Sequence, residues 1–214
     1  MNPQAVIFDM DGLLMDSERI GLTVLHECAL LQAVNIPLDM IRTTLGATRQ
    51  SASALYNRHF SSLDTDRLFD DFRLAMQGLA KAGKIPLKPG AEELLQFLQA
   101  QGIPRAVASS SGLGTIRVYL EAAGVLDAFD ALISANGLAS KPAPDVFFKA
   151  AEALHAAPEG CLVLEDSANG VQAGRAAGMT VFMVPDMIPY TPALAPYVDR
   201  VLPSLSAVIP LLAP

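Results

Sequence analysis

Ala5-Val6-Ile7-Phe8-Asp9-Met10-Asp11-Gly12-Leu13-Leu14-Met15-Asp16 is the stretch from which the rest of the chain is read. Ala5 to Phe8 are apolar at every position and too few for a helix, the pattern of a short strand. A strand with no polar position is expected where both faces of a parallel sheet are covered. The run ends in two carboxylates, Asp9 and Asp11, followed by Gly12. Charges at the end of a buried strand are costly unless something compensates them. A bound cation would do so: Asp-x-Asp-Gly can place one carboxylate and one main-chain carbonyl on the same ion. Gly12 would let the chain turn sharply past it. A strand followed by an acidic turn closed by glycine is the alternative that these residues alone leave open.

Downstream of Asp16 the pattern becomes helical. Ser17 is placed to cap a helix with Glu18 in its first turn, and Ile20, Val24, Cys28 and Leu31 recur at helical spacing. Pro37 interrupts it. Leu38 to Leu45 fit a second short helix, Thr48 opens a third towards Phe60, and Asp64 caps a longer one with Leu68, Phe72, Ala75 and Leu79 on one face. Gly83 to Gly90 reads as a linker. Residues 17–87 therefore form an all-helical block.

From Pro89 onward, helices and strands alternate. Strands are expected at Ala106–Ala108, Ala131–Ile133, Cys161–Leu164, Val181–Val184 and Arg200–Leu202, with helices between them. This order predicts right-handed βαβ units and a doubly wound, Rossmann-like parallel sheet. The fold class is α/β, with a small all-helical cap domain inserted after the first strand. The core is residues 1–16 and 88–214, the cap 17–87.

Hydrophobic residues make up 51% of the 214 and charged residues 17%, which excludes a disordered solvating chain. A net charge of −7 without a Lys/Arg-rich run argues against electrostatic nucleic-acid binding. No apolar run reaches the ~20 residues of a membrane helix, and the start lacks a basic segment of the secretory kind. Cys28 and Cys161 sit far apart in apolar contexts and read as core residues.

Ligands of open parallel sheets bind beyond the carboxyl ends of the strands. Those ends carry Asp9 and Asp11, then Ser109-Ser110-Ser111, then Ser140-Lys141-Pro142, then Glu165-Asp166-Ser167. Each has a plainer reading by itself. The serines could cap the next helix, Lys141 could be solvated, and Glu165-Asp166 could complement a helix dipole. Four strand ends supplying acids, hydroxyls and one lysine together form the inventory of a phosphate site with Mg²⁺.

These motifs resemble those of the haloacid dehalogenase-like hydrolases. Asp9-Met10-Asp11-Gly12-Leu13-Leu14 matches the first motif of that family; Ser109, Lys141 and Glu165-Asp166 match the second, third and fourth. Ser140 to Asp145 and Leu164 to Gly170 are similar to the beta-phosphoglucomutase-like branch, which includes sugar-phosphate phosphatases. The resemblance implies a Mg²⁺-dependent phosphatase acting on a sugar or polyol phosphate through an aspartyl phosphate, with a phosphosugar mutase as the alternative. It implies Asp9 as nucleophile and Asp11 as general acid and base. Asp9, the carbonyl of Asp11, and Asp166 would hold the metal, and Ser109, Ser110 and Lys141 the phosphate. Glu165 would stand behind them, and Arg49 would reach substrate from the cap. Mutases of this branch carry a histidine five residues after the acid corresponding to Asp16; here that position is Gly21. A receiver module needs neither the insertion nor this length, and a dehalogenase has no use for the second acid. A non-catalytic phosphosugar binder would not need every catalytic residue. The expected partner is a small phosphorylated substrate, with no nucleic acid and no membrane, for a cytoplasmic monomer or weak homodimer.

Overall fold

The computed structural model describes residues 1–212; the last two residues of the expected core, 213 and 214, lie outside them. Six strands form one sheet: β1 (Ala5–Phe8), β2 (Arg105–Ser109), β3 (Ala131–Ser134), β4 (Cys161–Glu165), β5 (Thr180–Met183) and β6 (Arg200–Val201). All pair in parallel, in the order β3-β2-β1-β4-β5-β6. The chain winds outward from β1 in both directions, so its Rossmann-like crevice opens at the carboxyl end of β1. Each strand agrees with its sequence reading to within one or two residues.

The uniform apolarity of β1 has the anticipated cause. Val6 and Phe8 join one hydrophobic cluster, Ala5 and Ile7 the other, and all four are fully buried. The first cluster packs under α5 (Ala91–Ala100) and α6 (Leu113–Ala122), through Leu94, Leu98, Ile116 and Leu120. The second lies under α7 (Asp145–Ala153) and α8 (Ala168–Ala176), through Val146, Phe147, Val171 and Ala173. Cys28 and Cys161 are free and buried in these clusters. No helix among the described residues is long and apolar enough to cross a membrane.

Between β1 and α5 stand four helices, α1 (Ser17–Leu30), α2 (Leu38–Arg42), α3 (Arg49–His59) and α4 (Thr65–Lys81). Thr48 and Asp64 cap α3 and α4 by accepting from the backbone N–H of Ser51 and Arg67. Ser17 differs from expectation: it is the first helical residue, Asp16 takes the cap position without a side-chain bond, and the Ser17 hydroxyl is drawn to Asp11 instead. Ala75 differs too. The buried residues of α4 are Thr65, Leu68, Met76 and Ala80, so the buried stripe is rotated away from Ala75.

Two connections join the helices to the sheet, and they run side by side. Met15 bridges Leu87 in antiparallel fashion; Asp16 N–H donates to the Pro86 carbonyl and Lys88 N–H to that of Leu14, both at 2.9 Å. Lys88 Nζ meets Asp186 at 2.5 Å, and Arg19 reaches Asp16 and Asp186 at 3.4 Å each. Asp64→Ala, which removes a cap bond at the start of the longest helix, is expected to lower stability by about 1 kcal/mol, read as a lower midpoint in urea unfolding with an unchanged slope.

Candidate active site

The four strand ends singled out in the sequence converge on one cavity of about 500 Å³, roofed by the helical block. Asp9, directly after β1, is 7% exposed, and Lys141, in the loop after β3, 8%. Lys141 Nζ donates to Asp9 Oδ1 at 2.5 Å, to Glu165 Oε1 at 2.7 Å and to the Ala108 carbonyl at 3.3 Å. It also lies 4.9 Å from the centre of the Phe147 ring. Burial works against the charged lysine, but attraction to Asp9 and Glu165 outweighs it and holds its pKa above the ordinary value.

Glu165 ends β4 with no exposure at all. Its Oε2 accepts from the backbone N–H groups of Asp166 and Ser167, both at 2.9 Å, and from the Ser167 hydroxyl at 3.0 Å. A side chain on Gly170 would overlap the Glu165 carboxylate, so α8 can approach it only with glycine there. Gly12 is constrained twice. It has φ +86°, and a Cβ would collide with the Asp166 carboxylate.

Asp9, Glu165 and Asp166 bring one carboxylate oxygen each within 4.8 Å of one another. Their hydrogen bonding separates them. Glu165 is filled by four donors, whereas among the described residues no donor reaches the Asp166 carboxylate, Asp9 Oδ2 or the Asp11 carbonyl. Buried oxygens without donors are what a hard, oxygen-seeking divalent cation requires. The arrangement therefore fits an ion on Asp9, the Asp11 carbonyl and Asp166, with Glu165 holding Lys141.

Electrostatics point the same way. Burial pushes the Asp9 carboxyl up to about 8, against the pull of Lys141 and with Glu165 adding repulsion. Burial raises Asp166 as well, with repulsion from Glu165 and Asp9. Five carboxyl groups line or underlie the cavity, and Lys141 is the one ammonium bonded among them. The fifth is Glu18, on α1. Burial and the neighbouring Asp11 and Asp186 push it up to about 8, and its carboxylate has no hydrogen-bond donor among the described residues. The sequence reading took Glu18 only as a first-turn acid. Its place in the first turn of the helix that follows the motif directly was the available signal.

Asp11 is oriented from both sides of the cavity. Ser17 Oγ donates to its Oδ1 at 2.7 Å and Ser111 Oγ to its Oδ2 at 2.8 Å. Ser109 is buried and accepts from Ser111 N–H at 2.9 Å, while Ser110 is exposed on the cavity wall. Arg49 also lines the cavity, yet its guanidinium donates to Asp66 and Asp70 of α4 at 3.0 and 3.1 Å and lies 5.5 Å from the centre of the Phe69 ring. Besides Ser17–Asp11 and Arg19–Asp186, the helices touch the sheet-bearing part at two further polar points. Gln77 donates to Thr115 Oγ1 and Asn169 to the Gly46 carbonyl, each at 3.0 Å.

Such a site on such a sheet defines an acid-lined hydrolase of the doubly wound class. Residues 3–178 match the model of the haloacid dehalogenase-like hydrolase family, and the chain belongs to that family. It is 32% identical over 188 residues to a Drosophila melanogaster protein named "Probable pseudouridine-5'-phosphatase", covering 84% of this chain and 80% of that one. It is 31% identical over 202 residues to hexitol phosphatase B of Escherichia coli K12, covering 85% and 83%. The solved structure of CbbY from Rhodobacter sphaeroides in complex with phosphate superposes with a TM-score of 0.85 at 25% identity, covering 96% of both chains.

The acids predict how the protein responds to pH. Asp9 and Glu18 have folded pKa values raised above those of an unfolded chain. Their contribution to stability is thus present below about pH 4 and is lost as pH rises towards 8. Chelator-treated protein should melt at a lower temperature at about pH 8.5 than at about pH 5.5. Added Mg²⁺ should raise the melting temperature by about 5 °C, and more at the higher pH. Differential scanning fluorimetry with and without the ion reads both effects.

Proposed function

We propose that this hydrolase is a Mg²⁺-dependent phosphatase that cleaves a small sugar or polyol phosphate through an aspartyl phosphate on Asp9. The observation carrying the reading is the buried Asp9–Lys141–Glu165 chain beside a donor-free Asp166. The phosphatase names of the two relatives and the phosphate complex of CbbY support it.

Asp9 is held by Lys141 at the mouth of the crevice, and its carboxylate attacks phosphorus. With Mg²⁺ bound beside it, Asp9 would be ionised in spite of its burial and would need no base for this, and the acyl phosphate splits one hard displacement into two easier ones. Mg²⁺, held by Asp9, the Asp11 carbonyl and Asp166, would supply positive charge where a phosphate dianion meets an acidic site. Lys141 adds a fixed positive charge, and Ser109, Ser110 and the N–H groups of their loop hold phosphoryl oxygens. Asp11 gives its proton to the leaving oxygen, then takes one from the water that attacks the acyl phosphate. Ser17 and Ser111 fix its orientation. Ser17 belongs to α1, so placing the acid depends on the helical block. That block, residues 17–87, acts as a cap that excludes water during the first step.

A phosphatase is favoured over a mutase by what surrounds Gly21. A Cβ there would lie 3.3 Å from Phe72 Cζ and 3.9 Å from Met76 Cε, so these side chains occupy the space in which the mutase histidine would stand. The chain has no group at that place to couple cap closure to Asp11.

Asp9→Asn should lower phosphate release from any substrate at least about 10⁴-fold while circular dichroism stays native. Residual activity within tenfold of wild type would remove Asp9 from the nucleophile role. Incubation with beta-glucose 1-phosphate, Mg²⁺ and a trace of the 1,6-bisphosphate should give inorganic phosphate faster than glucose 6-phosphate. The reverse order would establish a mutase.

A further inference from the structure

The ends of the first four strands serve the cavity; the end of the fifth serves the linkers. β5 runs into Val184-Pro185-Asp186, and Val184 N–H donates to the Glu165 carbonyl at 2.8 Å, which fastens this loop to the end of β4. Asp186 does not line the cavity, yet its side chain is only 4% exposed. Its Oδ1 accepts from Lys88 Nζ at 2.5 Å and from Arg19 Nη2 at 3.4 Å. Its Oδ2 is buried with no hydrogen-bond partner among the described residues. A carboxylate oxygen buried without a donor is costly, a cost that an acid kept only for solubility does not carry.

The two cations come from the two sides of the helical insertion. Lys88 closes the second linker. Its N–H bonds the Leu14 carbonyl of the first linker, and its Nζ lies 3.7 Å from Asp16 Oδ1. Arg19 belongs to the first turn of α1 and meets the same Asp16 oxygen at 3.4 Å. Ser17 therefore stands inside one ion cluster, with Asp16 before it and Arg19 two positions after it. Its hydroxyl is the one that holds Asp11 Oδ1. Arg19 is largely solvated, whereas Lys88 and Asp186 are shielded, so the Lys88–Asp186 pair is the one that water and salt weaken least.

We propose that Asp186 is a positioning residue for the general acid. By tying Lys88 and Arg19 to the loop after β5, it fixes the start of α1 and, through Ser17, the orientation of Asp11. It acts from outside the cavity. Proton transfer to a leaving oxygen depends on a donor held within hydrogen-bond reach, so a small displacement of Asp11 costs rate without changing the fold. The inference rests on the acid role given to Asp11 above.

The test is a double-mutant cycle read as kcat/KM with Mg²⁺ present. Sorbitol 6-phosphate and ribose 5-phosphate have alkoxide leaving groups that need a proton; p-nitrophenyl phosphate has a phenolate that needs little. Asp186→Asn keeps the shape of the side chain and removes its charge. It should lower kcat/KM for the alkyl esters about tenfold and for the aryl ester less than about twofold. Ser17→Ala should show the same bias. The double variant should match Ser17→Ala alone to within about twofold, because both changes break one connection. Should Asp186→Asn be unfolded by circular dichroism, Lys88→Met takes its place in the cycle. No loss, equal losses on alkyl and aryl esters, or losses that multiply in the double variant overturn the inference and leave the phosphatase reading standing. A wild type that cleaves the aryl ester and neither alkyl ester removes the acid role of Asp11 and the inference with it. Release of phosphate from none of the three overturns the phosphatase reading as well.

Discussion

One ammonium group surrounded by acids sets the terms for this structure. Lys141 reaches from the loop after β3 to Asp9 at the end of β1 and Glu165 at the end of β4, and all three are nearly excluded from water. Removing either partner of such a pair leaves an uncompensated buried charge, the most costly kind of loss. The surroundings are built to prevent it. Glu165 is held by two backbone N–H groups and a hydroxyl besides Lys141. Gly170 and Gly12 keep α8 and the first loop from crowding Glu165 and Asp166. The sheet order follows from the same need, because β1 and β4 must be neighbours for their terminal acids to share one lysine.

The inserted helices complete the arrangement from above. Ser17 holds one oxygen of Asp11 while Ser111 holds the other, so the orientation of this carboxylate requires both parts of the chain. Glu18 follows Ser17 and brings another acid to a site already rich in them. The helical block thus brings charge to the cavity as well as apolar wall. Its inner wall contributes mostly apolar side chains, and its arginine at position 49 is committed to two aspartates of α4.

Most of this was legible in the sequence because it depends on local chemistry. A four-residue apolar run ending in Asp-x-Asp-Gly, and acids or hydroxyls after three further strands, place the cavity without coordinates. What escaped depends on how the helices and turns are laid against one another in space. Ser17 has the composition of a helix cap, yet a carboxylate six residues earlier competes for its hydroxyl and wins. Glu18 looks like an ordinary dipole-complementing acid until α1 is laid over Gly12. Arg49 lines the cavity, and that α4 presents Asp66 and Asp70 beside its guanidinium could not be read from its own neighbours in sequence. The stripe on α4 was misjudged at Ala75 because helical periodicity fixes spacing but not which side meets a neighbour. Gly21 was conspicuous as an absence. Only the packing of Phe72 and Met76 explains what takes its place.

The paired connections at Met15 and Leu87 have a consequence for how such a chain can change. The helical block leaves and rejoins the sheet at adjacent, hydrogen-bonded positions, so from the viewpoint of the sheet it is a closed loop whose ends are already together. Lengthening a closed loop is entropically cheap, about 0.6 kcal/mol for each doubling. The block can therefore be enlarged, shortened or resurfaced while the strands beneath keep their register. Diversification of the chain would thus fall on the cap, with the reaction centre inherited whole.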